Sequence, residues 1–224
     1  MNQQRIRVET VGAEAVPVVV IDDFSPDPDA LVEEAVRLSY QPLGAFYPGP
    51  RAPVGAAYFK GLNGVIAAVA KQVFGAADRI ACDRALYSIS TASPGDLSLA
   101  QRIPHVDDTE PGKLAIVHYL SRADLGGTAF YRHRSTGFER ITPDRHRAYL
   151  DALNADFAAH GEPPPGYIDG DTALFEQTAA VRPAFNRALI YPGNLLHCAC
   201  LAGQTLSSDP RVGRLTVASF LTAR

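Results

Sequence analysis

Along the chain, apolar positions first recur at helical spacing and later fall into short extended runs, so the two parts predict different structures. Val16 to Asp23 is a dense β-branched run ending in acidic residues, the pattern of a buried strand meeting a turn. A helix is predicted to follow. Asp27 can cap its start, Pro28 suits the first helical position, and Ala30, Leu31, Ala35 and Leu38 share a face. Residues 41–56 are broken by Gly and Pro and predict a loop. Between Leu62 and Ala77 a second helix is marked by Val65, Ile66, Val69, Val73 and Phe74, closing near Gly75.

From Leu86 onward the spacing changes to short strands at Leu86 to Thr91, Leu114 to Leu120, Thr128 to Arg132, Leu174 to Arg182, Arg187 to Tyr191 and Arg214 to Leu221. One helical insertion, 142–160, interrupts them: Thr142 caps, Pro143 starts, Tyr149, Leu150, Leu153 and Phe157 line one face, and Gly161 ends it. The fold class expected is mainly β with flanking helices (α+β). Its amino-terminal part, 1–85, would hold a strand and helices that precede an antiparallel sandwich or barrel over 86–224, all within one domain, 1–224.

Composition narrows the partners. A net charge of -3 with 20% charged residues offers no strong attraction to nucleic acid or to an acidic membrane surface. Met1 to Thr10 is polar, and no run reaches the length of a membrane span, so a soluble chain with no membrane partner is expected. Three cysteines, two of them Cys198 and Cys200, make no disulfide framework and suggest a reducing compartment, with the cytoplasm as the default. Oligomeric state is not indicated.

The candidate chemistry centres on His105-Val106-Asp107. Two residues apart on an extended segment, the imidazole and the carboxylate share a face and can offer half a metal site. Two His and one carboxylate on one side of a metal leave positions open for substrate and oxygen, as in non-heme Fe(II) oxygenases. His197, which follows a strand and a Pro-Gly turn, is the most useful third donor; read alone, a histidine of this kind is more often a lone core or surface residue. His118 lies next to Tyr119 on a strand and so faces the other way, as a core histidine would. Cys198 and Cys200 are soft donors suited to zinc or copper, or else small buried side chains. The run Tyr131 to Thr136, with Arg132, His133 and Arg134, reads either as a pocket wall or as a solvated strand end. Gln101 and Arg102 either shape the approach to the metal or pair with nearby carboxylates.

Taken together, His105-x-Asp107, the strand Leu114 to Ser121, Gly126-Gly127-Thr128-Ala129-Phe130, the stretch Asn186 to His197, and Arg214-x-Thr216 resemble the Fe(II)/2-oxoglutarate-dependent oxygenases, especially their prolyl-hydroxylase-like branch. Ile21-Asp22-Asp23-Phe24-Ser25-Pro26 resembles the family's entry to its barrel. The resemblance implies a double-stranded β-helix, a jelly-roll or cupin-like core, with His105, Asp107 and His197 as iron ligands. It also implies Tyr119, Arg214 and Thr216 as the site for the distal carboxylate of 2-oxoglutarate. An Arg fork takes a carboxylate in two charge-assisted bonds, and a residue two along the strand shares its face. The segment between His197 and Arg214 is longer than the family's usual one, which leaves Arg211 as a rival for that role.

Implied with the fold are Fe(II) and 2-oxoglutarate, with ascorbate as an optional addition, O2, and a peptide or small-molecule substrate of unknown identity. Asp107 favours hydroxylation over halogenation, which needs the carboxylate position vacant. The loops Phe46 to Tyr58 and after Gly203 are candidate lids. The rivals are a cupin-like metal enzyme that does not use 2-oxoglutarate and a pseudo-oxygenase that binds a ligand without turnover.

Overall fold

The computed structural model describes residues 4–44, 46–76 and 79–223. Its strands are β1 (Arg5–Val11), β2 (Val16–Asp22), β3 (Gln41–Pro42), β4 (Pro50–Pro53), β5 (Ile80–Ile89), β6 (Lys113–Tyr119), β7 (Thr128–His133), β8 (Phe175–Val181), β9 (Arg187–Pro192), β10 (His197–Ala199) and β11 (Leu215–Ala223). Eight form one sheet in the order β1-β2-β9-β6-β11-β5-β4-β3, and three form another, β10-β7-β8. Every pairing is antiparallel.

Period-two alternation sorts the large sheet into two faces. Val18, Val20, Ala115, Tyr119, Leu189 and Tyr191 point inward and pack with Phe130 and Val181 of the small sheet. Their neighbours Val19, Ile21, Ile116, Ile190 and Val217 point outward and pack with two helices, α1 (Pro28–Arg37) and α2 (Asn63–Gln72). A third helix, α3 (Pro143–His160), covers the back of the small sheet through Tyr149 and Leu153 against Tyr131 and Phe175. Two antiparallel sheets with helices outside both are consistent with a jelly-roll core.

The helix signals act as their chemistry predicts. The Asp27 carboxylate accepts the Ala30 N–H at 3.0 Å, and Pro28 opens α1. Gly161 closes α3 at φ 79°, a left-handed conformation that favours glycine. Thr142 precedes α3 without a side-chain capping bond.

The order of elements needs correction. β1 and β2 form a hairpin that enters the large sheet through β2 and β9, so the amino-terminal part supplies strands of the core itself, ahead of α1 and α2. The division at residue 85 falls inside β5. The stretch 41–56 also carries β3 and β4, a short ladder that ends the sheet, with β3 as the edge strand. α2 ends at Gln72, before Gly75; position 77, the far end of the predicted stretch, lies outside the described residues.

His118 sits on the helix-facing side of β6, fully buried. Its Nδ1 lies 3.2 Å from the Tyr58 hydroxyl and its Nε2 3.0 Å from Asn186 Oδ1, an amide that also brackets Ser25. That oxygen accepts from Nε2, so the neutral imidazole fits the network. Burial pulls the His118 pKa down to about 4 from the ordinary 6.5. Between these two values the unfolded chain takes up a proton that the folded one refuses, so stability falls as pH drops from about 6.5 to 4. The contribution is on the order of 3 kcal/mol. Urea denaturation at pH 7 and pH 4 is expected to show a smaller acid loss, by that amount, in His118→Gln than in the native protein; equal losses would refute the assignment.

Candidate metal centre and cavity

The segment after Pro104 runs beside β10, and the two exchange a pair of backbone hydrogen bonds: His105 N–H to His197 O and His197 N–H to His105 O, each 2.9 Å. This directly opposed pair puts both imidazoles on one side, with ring centroids 4.4 Å apart. Two residues on, Asp107 N–H donates to Gly193 O at 2.8 Å, which fixes the carboxylate on the same face. His197 is further held by Nδ1 bonding to Leu195 O at 2.8 Å and by an edge contact with Tyr191. With Nδ1 donating, Nε2 keeps its lone pair.

His105 Nε2 lies 3.9 Å and His197 Nε2 3.5 Å from the two Asp107 oxygens, and one ligand atom from each residue falls within 4.8 Å of the others. These gaps are too long for good hydrogen bonds, yet they suit three donors around an ion at about 2.0–2.2 Å from each. Electrostatics agree with that fit. Burial, then the neighbouring His197 and Arg51, pushes the His105 imidazole well below its usual pKa, so it stays neutral. Burial pushes the Asp107 carboxyl up, against the pull of His197, Arg51 and Arg84. Desolvating that anion is a cost that a divalent cation would offset. His105 retains 40% side-chain exposure. It lines the cavity, so the exposed part of the ring opens inward.

The cavity, about 580 Å³, lies between the sheets. Ala115, Val117, Tyr191, Thr216 and Ala218 line it from the large sheet, Thr128 and His197 from the small one. Arg214 lies on its wall only 4% exposed, donating through Nε to Gly126 O at 3.0 Å and through Nη2 to Gly127 O at 3.1 Å. Thr216 lines the same wall. Tyr119 stands behind: its hydroxyl is 2.6 Å from Thr128 Oγ1, and Arg214 lies over its ring at 5.7 Å. Arg211 is exposed, in a turn that its N–H makes with Asp209.

Other candidates separate cleanly. Arg132 pairs with Glu139 and Glu176, His133 with Asp156, and Arg134 with Asp171, and none of the three lines the cavity. Arg102 bonds the Leu97 carbonyl, whereas Gln101 lines the cavity. Of the two candidate lids, Phe46 to Tyr58 contributes Phe46, Tyr47, Pro48 and Arg51 to the lining; the loop after Gly203 contributes none before Arg214 among the described residues. Two arginines on the cavity wall escaped the sequence reading. Arg51 sits in the stretch read as loop, and Arg84 precedes the stretch read as the first barrel strand. Arg84 shares the parity of Ser88, and Arg51 and Thr216 lie opposite Ser88, so their common face shows only once the strand neighbours are known.

Cys198 lines the cavity with its thiol raised in pKa by burial, and burial lifts Cys200 to about 11. Both stay thiols at neutral pH, and thiolate is the form that binds metal. The Cys198→Ser, Cys200→Ser double variant is therefore expected to keep the native metal affinity within about threefold in a metal titration; loss of metal would instead place a sulfur in the ligand set.

One family model, described as a family of unknown function, DUF6445, matches residues 2–221. The chain belongs to DUF6445. No curated protein matches this DUF6445 chain in sequence. Among solved structures it is similar to HygX from Streptomyces hygroscopicus with nickel, 2-oxoglutarate and hygromycin B bound. That match has a TM-score of 0.52 and 14% identity over 94% of this chain and 83% of HygX. Iron-bound HygX gives a TM-score of 0.54 at 15% identity, with the same two coverages, 94% and 83%. SnoN, a non-heme alpha-ketoglutarate-dependent epimerase from nogalamycin biosynthesis, gives 0.55 at 12% identity over 92% of this chain and 77% of SnoN. At these identities the likeness is one of fold. No helix among the described residues is long and apolar enough to cross a membrane.

Proposed function

We propose that this DUF6445 chain is an Fe(II)- and 2-oxoglutarate-dependent oxygenase built on a double-stranded β-helix of the prolyl-hydroxylase-like kind, hydroxylating a small molecule. The observation that carries this reading is the convergence of His105, Asp107 and His197 on the wall of a cavity that also holds the buried Arg214. Iron-bound and 2-oxoglutarate-bound relatives of the same fold support it.

His105, Asp107 and His197 would hold the metal, two neutral nitrogens and one carboxylate that offsets part of its charge. The chemistry supplied at such a site is oxidation of a substrate C–H by O2 coupled to decarboxylation: 2-oxoglutarate, O2 and R–H give succinate, CO2 and R–OH. Arg214 would receive the distal carboxylate, with Thr216 beside it as a hydroxyl donor. The Gly126 and Gly127 carbonyls hold the guanidinium in place beforehand, so little rotamer freedom is lost on binding. Tyr119, joined to Thr128, backs that wall. Apolar lining such as Val117, Ile103 and Phe220 excludes bulk water. A volume of about 580 Å³ lies in the range of small-molecule sites.

The test is succinate release from 2-oxoglutarate by the Fe(II)-loaded protein with ascorbate and O2. Turnover that disappears without Fe(II) supports the reading. Metal binding without any affinity for 2-oxoglutarate would point to a cupin-like enzyme, and 2-oxoglutarate binding without succinate to a pseudo-oxygenase.

A further inference from the structure

Arg51 and Arg84 reach the cavity from neighbouring strands, β4 and β5, and among the described residues no carboxylate forms an ion pair with either. Arg51 Nε is buried with no hydrogen-bond partner, while its guanidinium lies 4.0 Å from the centre of the Tyr47 ring. The Arg84 guanidinium rests over Phe220 at 4.8 Å. Stacking fixes the planes of both groups and leaves their edges for a ligand. A buried guanidinium N–H without an acceptor is costly, and such exceptions are rare unless something else supplies the acceptor.

The surrounding charge points to an anion. Asp107 is the sole carboxylate among the described lining residues, against three arginines, Arg51, Arg84 and Arg214. Asp107 belongs to the ligand cluster and Arg214 is engaged by two carbonyls, which leaves Arg51 and Arg84 unassigned. Both are close enough to act electrostatically on Asp107, so whatever they hold lies near the reacting centre. The nearby lining is apolar and aromatic: Phe46 and Tyr47 from one loop, Ile103 from another, Tyr149, Leu150 and Leu153 from α3.

We infer that Arg51, assisted by Arg84, anchors the acid group of the primary substrate, a small amphipathic carboxylate whose apolar or aromatic body lies between the Leu43 to Pro48 loop and α3. The word substrate rests on the oxygenase reading; the carboxylate site itself does not. Arg51 is thereby a specificity-determining residue, because an arginine whose buried Nε has no acceptor among the described residues favours an acid over its neutral isostere.

The experiment is a ligand-observed fluorine NMR titration with 4-(4-fluorophenyl)butanoate and its uncharged amide, on metal-free protein and on protein loaded with Zn(II) and 2-oxoglutarate. The carboxylate is expected to bind roughly tenfold or more tightly than the amide in both forms. Arg51→Gln is expected to reduce that preference below about threefold, and Arg84→Gln to lower it partially. Arg51→Lys, which keeps the charge but loses the fork, is expected to retain it in part, and Arg214→Gln, tested in the metal-free form, to retain it in full. Thermal melting checks that each variant folds; should Arg51→Gln fail to, Arg84→Gln, at an exposed position of β5, carries the test. A preference that follows Arg214, one that vanishes on loading with 2-oxoglutarate, or no preference in the native protein would each overturn the inference. Failure of 2-oxoglutarate to bind, with the preference still following Arg51, would count against the oxygenase reading alone.

Discussion

His197→Ala is expected to bind Fe(II), or Mn(II) as a redox-silent substitute, at least about 100-fold more weakly than the native protein while remaining folded. Disturbing a group that merely supports a ligand already costs about 10- to 100-fold in metal affinity, so removing one of three donors should cost more. The fold should survive because the residue's structural work is done by its backbone: the two bonds to His105 and the pairing with Phe130 involve no side chain. What the side chain adds is one bond to Leu195 O and ring contacts with Tyr191 and His105. Equilibrium dialysis with metal analysis reads the loss, and the melting temperature reads the fold. His105→Ala and Asp107→Ala should behave alike. Normal stoichiometry in His197→Ala would remove it from the ligand set.

Arg214→Ala is expected to weaken 2-oxoglutarate binding by roughly 30-fold to several thousand-fold, the equivalent of about 2 to 5 kcal/mol for breaking a buried charge-assisted pair. Arg211→Ala should cost less than about fivefold, since an exposed arginine's ion pair is screened by water. The burial of Arg214 and the exposure of Arg211 motivate the contrast. Arg214 also braces the Gly126 and Gly127 carbonyls, so part of its loss will appear as lower stability. Calorimetry with Mn(II) present, below the melting range, isolates the binding part. If the larger loss fell on Arg51, the co-substrate would lie at the opposite cationic wall.

The strands of the second half were legible because their apolar runs are bounded by turn-formers, and α1 because Asp27 and Pro28 combine two capping signals. β1 was not. Its Ile6 and Val8 point to solvent between charged residues, so the strand buries little, and it exists through its seven-residue ladder with β2. The His105-x-Asp107 geometry was readable because two-residue spacing shares a face whatever the strand pairs with. Arg51 and Arg84 were not, since a cavity wall depends on which strands are neighbours. Arg51 lies opposite Ser88, itself opposite Thr216, and that lateral order is invisible along the chain.

The order of the large sheet also says how this protein must be made. Its central strands β9, β6 and β11 come after residue 112, and β11, which fills the gap between β6 and β5, comes last of the eleven. A chain emerging from the ribosome therefore carries β5 with one long flank open until β11 arrives. β2 waits in the same way for β9. Such exposed ladders invite wrong partners, and pairings this distant in sequence close slowly. During synthesis these open flanks are surfaces of the kind chaperones cover, and rapid overproduction is expected to favour inclusion bodies over native protein.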